Sequence, residues 1–237
     1  MRLPTPLLSG KLVKRYKRFL ADIALDDGRF VTAHCANPGS MLGVAIEGAP
    51  VWVHEHGNEN RKLAFSWELI DLNGTLIPIN TTNPNKIARE AIAADQIPEL
   101  SDYAEISSEV KYGAASRIDL LLSGGRHHNP CYVEIKNVHL SRQPGLAEFP
   151  DSVTKRGTKH LEELTKIAVG GAARAVMLFI VQRGDCQRFS PAEDIDPSYG
   201  NALKSAAFFG VETLCYDCEV TTSEVVLRKA LPIELEE

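Results

Sequence analysis

The sequence predicts a mixed α/β fold in two parts. A small all-β barrel, with an OB-fold as the leading form, comes first, and an α/β domain on a central sheet follows. Three observations predict this. Roughly five short strand candidates with glycine-marked turns crowd residues 18–82. The texture changes at Asn83-Pro84, where helical spacing begins. Beyond that point strands and helices alternate, and one strand candidate, RAVMLFIVQ, is a continuous apolar run of the kind buried on both faces.

In the first part, FLADIAL runs into Asp26-Asp27-Gly28, a hairpin signal, and then RFVTAHC. After the loop Asn37-Pro38-Gly39-Ser40 come PVWVH, KLAFSWELI and TLIPIN, separated by Gly48, Gly57 and Asn73-Gly74. An SH3-like barrel would read the same way. The domain boundary is expected at residue 83, giving 1–82 and 83–237. In the second part, NKIAREAIAAD places Ile87, Ala91 and Ala94 along one stripe with Glu90 close beside it. The strand candidates SSEVKYG, RIDLLLS and CYVEIKNVH follow, then a helix at about 152–169 closed by Gly170-Gly171. A second helix near 197–209 ends at Gly210, and VETLCYD is a last strand.

The bulk composition suits a globular chain of this length. Of 237 residues, 44% are hydrophobic and 24% charged. No run approaches the ~18 apolar residues of a membrane span, and MRLPTPLLSGK lacks the apolar core of a secretory signal, so a cytoplasmic protein without membrane partners is expected. Five scattered cysteines fit a reducing compartment. Cys215 and Cys218 form a lone CxxC, a weak zinc signal. The net charge of −5 argues against a chain coated in nucleic acid, but residues 1–20 carry Arg2, Lys11, Lys14, Arg15, Lys17 and Arg18 with no acid. Tyr16 and Phe19 sit among them. Cations interleaved with aromatics suit a phosphate backbone and stacked bases.

The chemistry gathers on CYVEIKNVH. At strand period two, Val133 and Ile135 face one way and Glu134 and Lys136 the other. Upstream, Asp119 interrupts the apolar strand RIDLLLS, where burying it unpaired would be costly. Two carboxylates on adjacent strands with a nearby ammonium suit a divalent cation and a phosphodiester. Asp119 and Glu134 would be ligands, with the Ile135 carbonyl as a third, and Lys136 would orient water or offset negative charge. The plainer alternative is an exposed Glu134–Lys136 pair on a half-buried strand. Glu109-Val110-Lys111 repeats the spacing without an Asp-bearing strand before it, which leaves Glu109 as an accessory candidate. Asp151, after Pro150, reads as a helix cap or first-turn acid. On the helix that follows, Arg156 and Lys159 lie near the N-terminus, where phosphate is attracted. His160 is a candidate base or orienting group, and Gln182 a polar strand end.

Taken together, SEVKYG, SRID, YVEIKNV and FPDSVTKRGTKHLEEL resemble the sugar fermentation stimulation protein family. KRYKRFLAD, HCANPGSM, Arg61-Lys62, INT followed by NPNKIAREAI, and RFSPAEDID extend the resemblance over nearly the whole chain. It implies an OB-like N-terminal domain and a C-terminal α/β/α domain resembling the PD-(D/E)XK nucleases. It also implies DNA binding and a role in regulating sugar, especially maltose, metabolism. The nuclease pattern then falls on Asp119, Glu134 and Lys136, with Glu90 as the acid on the preceding helix and Mg²⁺ or Mn²⁺ as the cofactor. Two positions depart from the family pattern. Ala36-Asn37-Pro38-Gly39 stands where Pro-Asn-Thr-Gly is usual, and Asn137 stands where Ser is expected. Three functions follow as expectations: DNA binding of low sequence specificity through Lys11, Lys14, Arg15, Lys17, Arg18, Arg156 and Lys159; metal-dependent nuclease activity; and a sugar or nucleotide sensor. The sensor is the weakest, since neither a Walker loop nor a dinucleotide fingerprint is present.

Overall fold

A computed structural model describes residues 1–58, 60–112, 116–127 and 129–235. Six strands make the first part: β1 (Leu7–Tyr16), β2 (Leu20–Leu25), β3 (Phe30–Cys35), β4 (Pro50–Glu55), β5 (Phe65–Leu72) and β6 (Thr75–Pro78). β1 pairs antiparallel with both β2 and β4, β2 with β3, and β4 with β5. A parallel pairing of β3 with β5, from Ala33↔Phe65 to Cys35↔Trp67, closes the barrel. This is the five-stranded Greek-key closure of an OB-fold, with β6 appended to β5.

The barrel corrects the sequence reading at its start. The expected strands begin at residue 18, whereas the true first strand is β1, and TLIPIN lies outside the closed ring. Two features hid β1. The β1–β2 turn has Lys17 at φ 48° and Arg18 at φ 62°, a left-handed pair usually announced by Asn or Gly. The strand also carries a bulge. Leu12 pairs with Ile23 and Lys14 with Asp22, so Val13 is an extra residue that breaks the alternation. Gly10 belongs to the same strand for a steric reason: a Cβ there would lie 2.5 Å from the Ala24 carbonyl oxygen.

The second part contains α1 (Asn83–Ala93), a 3₁₀ turn at Pro98–Leu100, β7 (Glu105–Tyr112), β8 (Ser116–Ser123), β9 (Cys131–Val138), β10 (Leu140–Gln143), β11 (Leu146–Phe149), α2 (Lys155–Gly170), β12 (Arg174–Val181), β13 (Arg188–Pro191), α3 (Pro197–Phe208), β14 (Glu212–Val220) and β15 (Val225–Ala230). Its main sheet has the order β15-β14-β12-β9-β8-β7. β12 is parallel to both β9 and β14. Seven of its eight residues are buried, as an apolar central strand requires. β10, β11 and β13 form a small extra sheet that the sequence did not announce.

Helices cover both faces. Ile87, Ala88, Ala91 and Ile92 of α1 pack with Leu120, Val133, Ile135 and Leu178. Leu161 and Leu164 of α2 and Leu203 of α3 pack on the opposite face with Met177, Phe179 and Val181. The barrel is not separate from this core. Leu69 of β5 is buried within the α1-side cluster, and Leu7 and Trp52 pack against it.

Of the two helix starts flanking the site, that of α2 differs from expectation. Thr82 is the cap position of α1, and Asn83 is buried inside the first turn behind Pro84. The Thr154 hydroxyl accepts from the Gly157 N–H at 3.1 Å, so α2 begins at Lys155 and Asp151 is not its cap. Gly171 ends α2 in the left-handed conformation at φ 67°. All five cysteines are free and buried, and among the described residues no cluster of three His, Cys, Asp or Glu groups is placed to hold a metal. No described helix is long and apolar enough to cross a membrane.

Candidate metal centre and nucleic-acid face

Asp119 sits where the ladder between β8 and β9 gives out. The paired residues run from Leu122↔Cys131 to Leu120↔Val133, and at the next step a side chain takes over. The Ile135 N–H donates to Asp119 Oδ2 at 2.7 Å, and Asn85 Nδ2 of α1 donates to Asp119 Oδ1 at 2.9 Å. In an extended strand a residue's N–H and C=O point to the same side, so the Ile135 carbonyl also points toward β8. Burial and the neighbouring Glu134 charge raise the Asp119 pKa above its ordinary value, against the opposing Ile135 and Asn85 hydrogen bonds.

Glu134 is only 3% exposed. Its Oε1 accepts from Lys136 Nζ at 2.8 Å and is also hydrogen-bonded to His160 Nδ1. Among the described residues its Oε2 is buried with no partner. Burial alone would raise this pKa, but the His160 hydrogen bond and the Lys136 charge outweigh it and hold the carboxyl below its ordinary value. Near it, Tyr112 Oη and Glu163 Oε2 are also buried without partners among the described residues. The Tyr112 hydroxyl is pushed up by burial and then by the carboxylates of Glu134, Glu163 and Asp119.

This arrangement fits a hard divalent cation that keeps part of its water. Asp119 and Glu134 are two carboxylates on neighbouring strands, and an orphaned, nearly inaccessible carboxylate oxygen is the kind of group a cation satisfies. Two carboxylates on neighbouring strands, Asp119 and Glu134, suit Mg²⁺ or Mn²⁺ completed by water and substrate oxygens better than a dedicated protein cage.

The other predicted residues divide. Glu90 is 59% exposed and pairs with the terminal ammonium of Met1 at 2.8 Å. The α1 group at Asp119 is instead Asn85, five residues earlier and unmarked by charge. Glu109 is exposed and in a left-handed conformation at φ 55°. Arg156 donates from Nε to His160 Nε2 at 3.3 Å, and Lys159 lies 3.8 Å from Glu163. Gln182 is fully buried and donates to Asn137 Oδ1 at 2.6 Å, next to His139, whose pKa burial pushes down to about 4.

On the barrel, the bulge at Val13 determines the outer surface. Lys11 and Lys14, an odd and an even position, both face outward because Val13 resets the alternation, while Leu12 enters the core. The cross-strand register aligns Lys11 with Ala24 and Phe30, Lys14 with Asp22 and Thr32, and Tyr16 with Leu20 and His34. Phe19 stacks on His34 with ring centroids 6.3 Å apart. Phe19 is 45% exposed and Phe30 64%. Asp22 anchors the middle, accepting from Tyr16 Oη at 3.1 Å and Thr32 Oγ1 at 2.8 Å. Among the described residues Lys11, Lys17 and Arg18 form no ion pair, and Lys14 has only a loose one to Asp22 at 3.8 Å.

Arg15 departs from this group. Its guanidinium donates to the carbonyls of Asn37 (2.9 Å), Gly39 (2.8 Å), Ser40 (3.1 Å) and Arg18 (3.0 Å). It is a clamp on the Asn37–Ser40 loop, so the expectation of a phosphate-binding Arg15 gives way to a structural role. That loop meets the second domain: Ser40 Oγ donates to the Asp151 carbonyl at 2.7 Å, and the Met41 N–H to Asp151 Oδ2 at 2.8 Å. Asp151 therefore joins barrel to α/β domain. Its role was illegible in sequence because its partners lie over a hundred residues away.

The chain joins an OB barrel to an α/β domain whose central sheet carries Asp119, Glu134 and Lys136 on the neighbouring strands β8 and β9. Comparison with known proteins gives the family. Residues 13–79 match the SfsA N-terminal OB domain and residues 82–224 the sugar fermentation stimulation protein RE domain. The chain is 52% identical to the sugar fermentation stimulation protein homolog of Maricaulis maris over 99% of both chains. It is 50% identical to the homolog of Caulobacter vibrioides, over 98% of this chain and 96% of that one. A solved structure, Pyrococcus furiosus SfsA in complex with Ca²⁺, superimposes with a TM-score of 0.86 at 27% identity, covering 99% of this chain and 98% of that one. The chain belongs to the sugar fermentation stimulation protein family.

Proposed function

We propose that this protein binds DNA with little sequence specificity through the outer face of its barrel, and that its second domain carries a nuclease-type divalent-metal site. The observation that carries the binding reading is the surface formed by Lys11, Lys14, Tyr16, Phe19, Phe30 and His34, extended at the β1–β2 turn by Lys17 and Arg18. Cations there meet phosphates while exposed rings stack on bases, and neither interaction depends on base identity. The β2–β3 face and the β1–β2 loop are where OB-folds hold oligonucleotides, which supports the reading by analogy of fold. Family membership extends it to a role in regulating sugar, particularly maltose, metabolism. A mobility-shift titration with random-sequence duplex tests it. Binding at low salt that weakens steeply as salt rises is expected; no shift even at low salt would reject the reading.

A second reading, an active Mg²⁺- or Mn²⁺-dependent nuclease, is favoured by the orphaned Glu134 Oε2. Asp119, Glu134 and the Ile135 carbonyl would hold the cation. When bound it supplies a Lewis acid at the phosphate and a water of lowered pKa. Lys136, held 2.8 Å from Glu134 Oε1, would offset negative charge on a bound phosphate. Asn85 orients Asp119 from α1. That the solved relative from Pyrococcus furiosus was obtained with Ca²⁺ supports a cation-binding role in this family fold. Incubating the pure protein and Asp119→Ala with Mn²⁺ and single- or double-stranded DNA separates the cases. Cleavage by the parent alone supports the nuclease, and equal cleavage by both removes the assignment.

A further inference from the structure

Glu134 is bonded unevenly. Oε1 receives two donors, Lys136 Nζ and His160 Nδ1, while the buried Oε2 receives none among the described residues. A carboxylate oxygen offers two lone-pair sites, so Oε1 is saturated and Oε2 is the free acceptor. His160 is itself fixed from its far side, since Arg156 Nε donates to His160 Nε2 at 3.3 Å. A ring nitrogen that accepts from a guanidinium holds a lone pair, so the ring proton sits on Nδ1, where it is needed for Glu134. His160 is buried on α2, at the third position after the buried Gly157, and the helix is seated by the Thr154 cap. The ring thus arrives from a rigid element and not from a loop.

We infer that His160, set in its tautomer by Arg156, is a positioning residue that holds Glu134 by Oε1 and presents Oε2 to a divalent cation shared with Asp119. The inference rests on the metal-site reading above and adds to it the groups that aim the ligand. It also gives Arg156 a task other than meeting phosphate. Outer groups of this kind usually change metal affinity by about 10–100-fold when removed.

The test measures Mn²⁺ binding to the full chain, by calorimetry and by the loss of the free-ion EPR signal, with thermal melting as a control for folding. His160→Ala is expected to weaken Mn²⁺ binding by about tenfold or more. His160→Gln, which keeps an N–H donor on a neutral side chain, should recover most of the affinity. Arg156→Gln, at an exposed position, should retain the parent melting temperature and weaken Mn²⁺ by a smaller factor. A parent that binds Mn²⁺, no longer does so as Asp119→Ala, and binds it unchanged in His160→Ala and Arg156→Gln would overturn the positioning role and leave the metal site standing. A parent that binds no Mn²⁺ would overturn both. Equal weakening by His160→Gln and His160→Ala would also count against it, because rescue by the donor is what separates aiming from packing.

Discussion

At the scale of single residues, the sharpest consequences come from Asp119 and Arg15. The pKa of Asp119 is raised in the folded chain by burial and by Glu134. A raised folded pKa favours the native state fully below the unfolded value, near 3.8, and that advantage is lost as pH rises through the folded pKa. At neutral pH without metal, the ionised carboxylate is therefore a burden on the fold. Asp119→Asn should raise the metal-free melting temperature at pH 7, with the difference vanishing near pH 3. Added Mn²⁺ should stabilise the parent and not the variant, reversing their order. Arg15 predicts the opposite sign. Arg15→Ala removes a charged donor from four carbonyls and should cost about 2 kcal/mol, read as a lower denaturant midpoint. A lysine at that position cannot restore the forked geometry.

At the scale of elements, the hairpin of β1 and β2 connects stability to function. Gly10→Ala puts a methyl group against the Ala24 carbonyl and should cost about 2 kcal/mol through backbone displacement. The turn is a different case. Lys17 and Arg18 occupy left-handed conformations that glycine adopts without penalty. Lys17→Gly should stabilise the chain by a few tenths to about 1 kcal/mol while weakening DNA binding, a trade that equilibrium unfolding and anisotropy titrations together would expose.

The same elements show how far sequence reading reaches. CYVEIKNVH, RIDLLLS and RAVMLFIVQ were legible because a single period runs through each and one polar residue interrupts it. β1 was not, because its bulge and glycine-free turn remove the two signals by which a hairpin is recognised. Asn85 and the pairing of Glu134 with His160 were illegible for another reason. They depend on which face of α1 and α2 meets the sheet, and amide or imidazole side chains on a helix carry no mark of their tertiary partners. The basic N-terminal stretch was visible as charge, but its division into outward Lys11 and Lys14 and inward-clamping Arg15 follows from the bulge.

At the scale of the molecule, barrel and α/β domain share apolar core through Leu69, Leu7 and Trp52 and are tied by Ser40 and Met41 to Asp151. Calorimetry should therefore show one cooperative unfolding transition, and separately expressed halves should each be less stable than the whole. With a net charge of −5, the proposed association with DNA would have to proceed through a local positive field that opposes the overall charge. The measurement that tests this most directly is the salt dependence of duplex binding by the parent and by the variant Lys14→Ala/Lys17→Ala/Arg18→Ala. The parent should show a steep linear fall of log affinity with log salt, and the variant should bind more weakly with a slope shallower by about 0.9 for each phosphate that is no longer neutralised. Equal affinities and equal slopes would contradict the assignment of DNA binding to the outer face of the barrel.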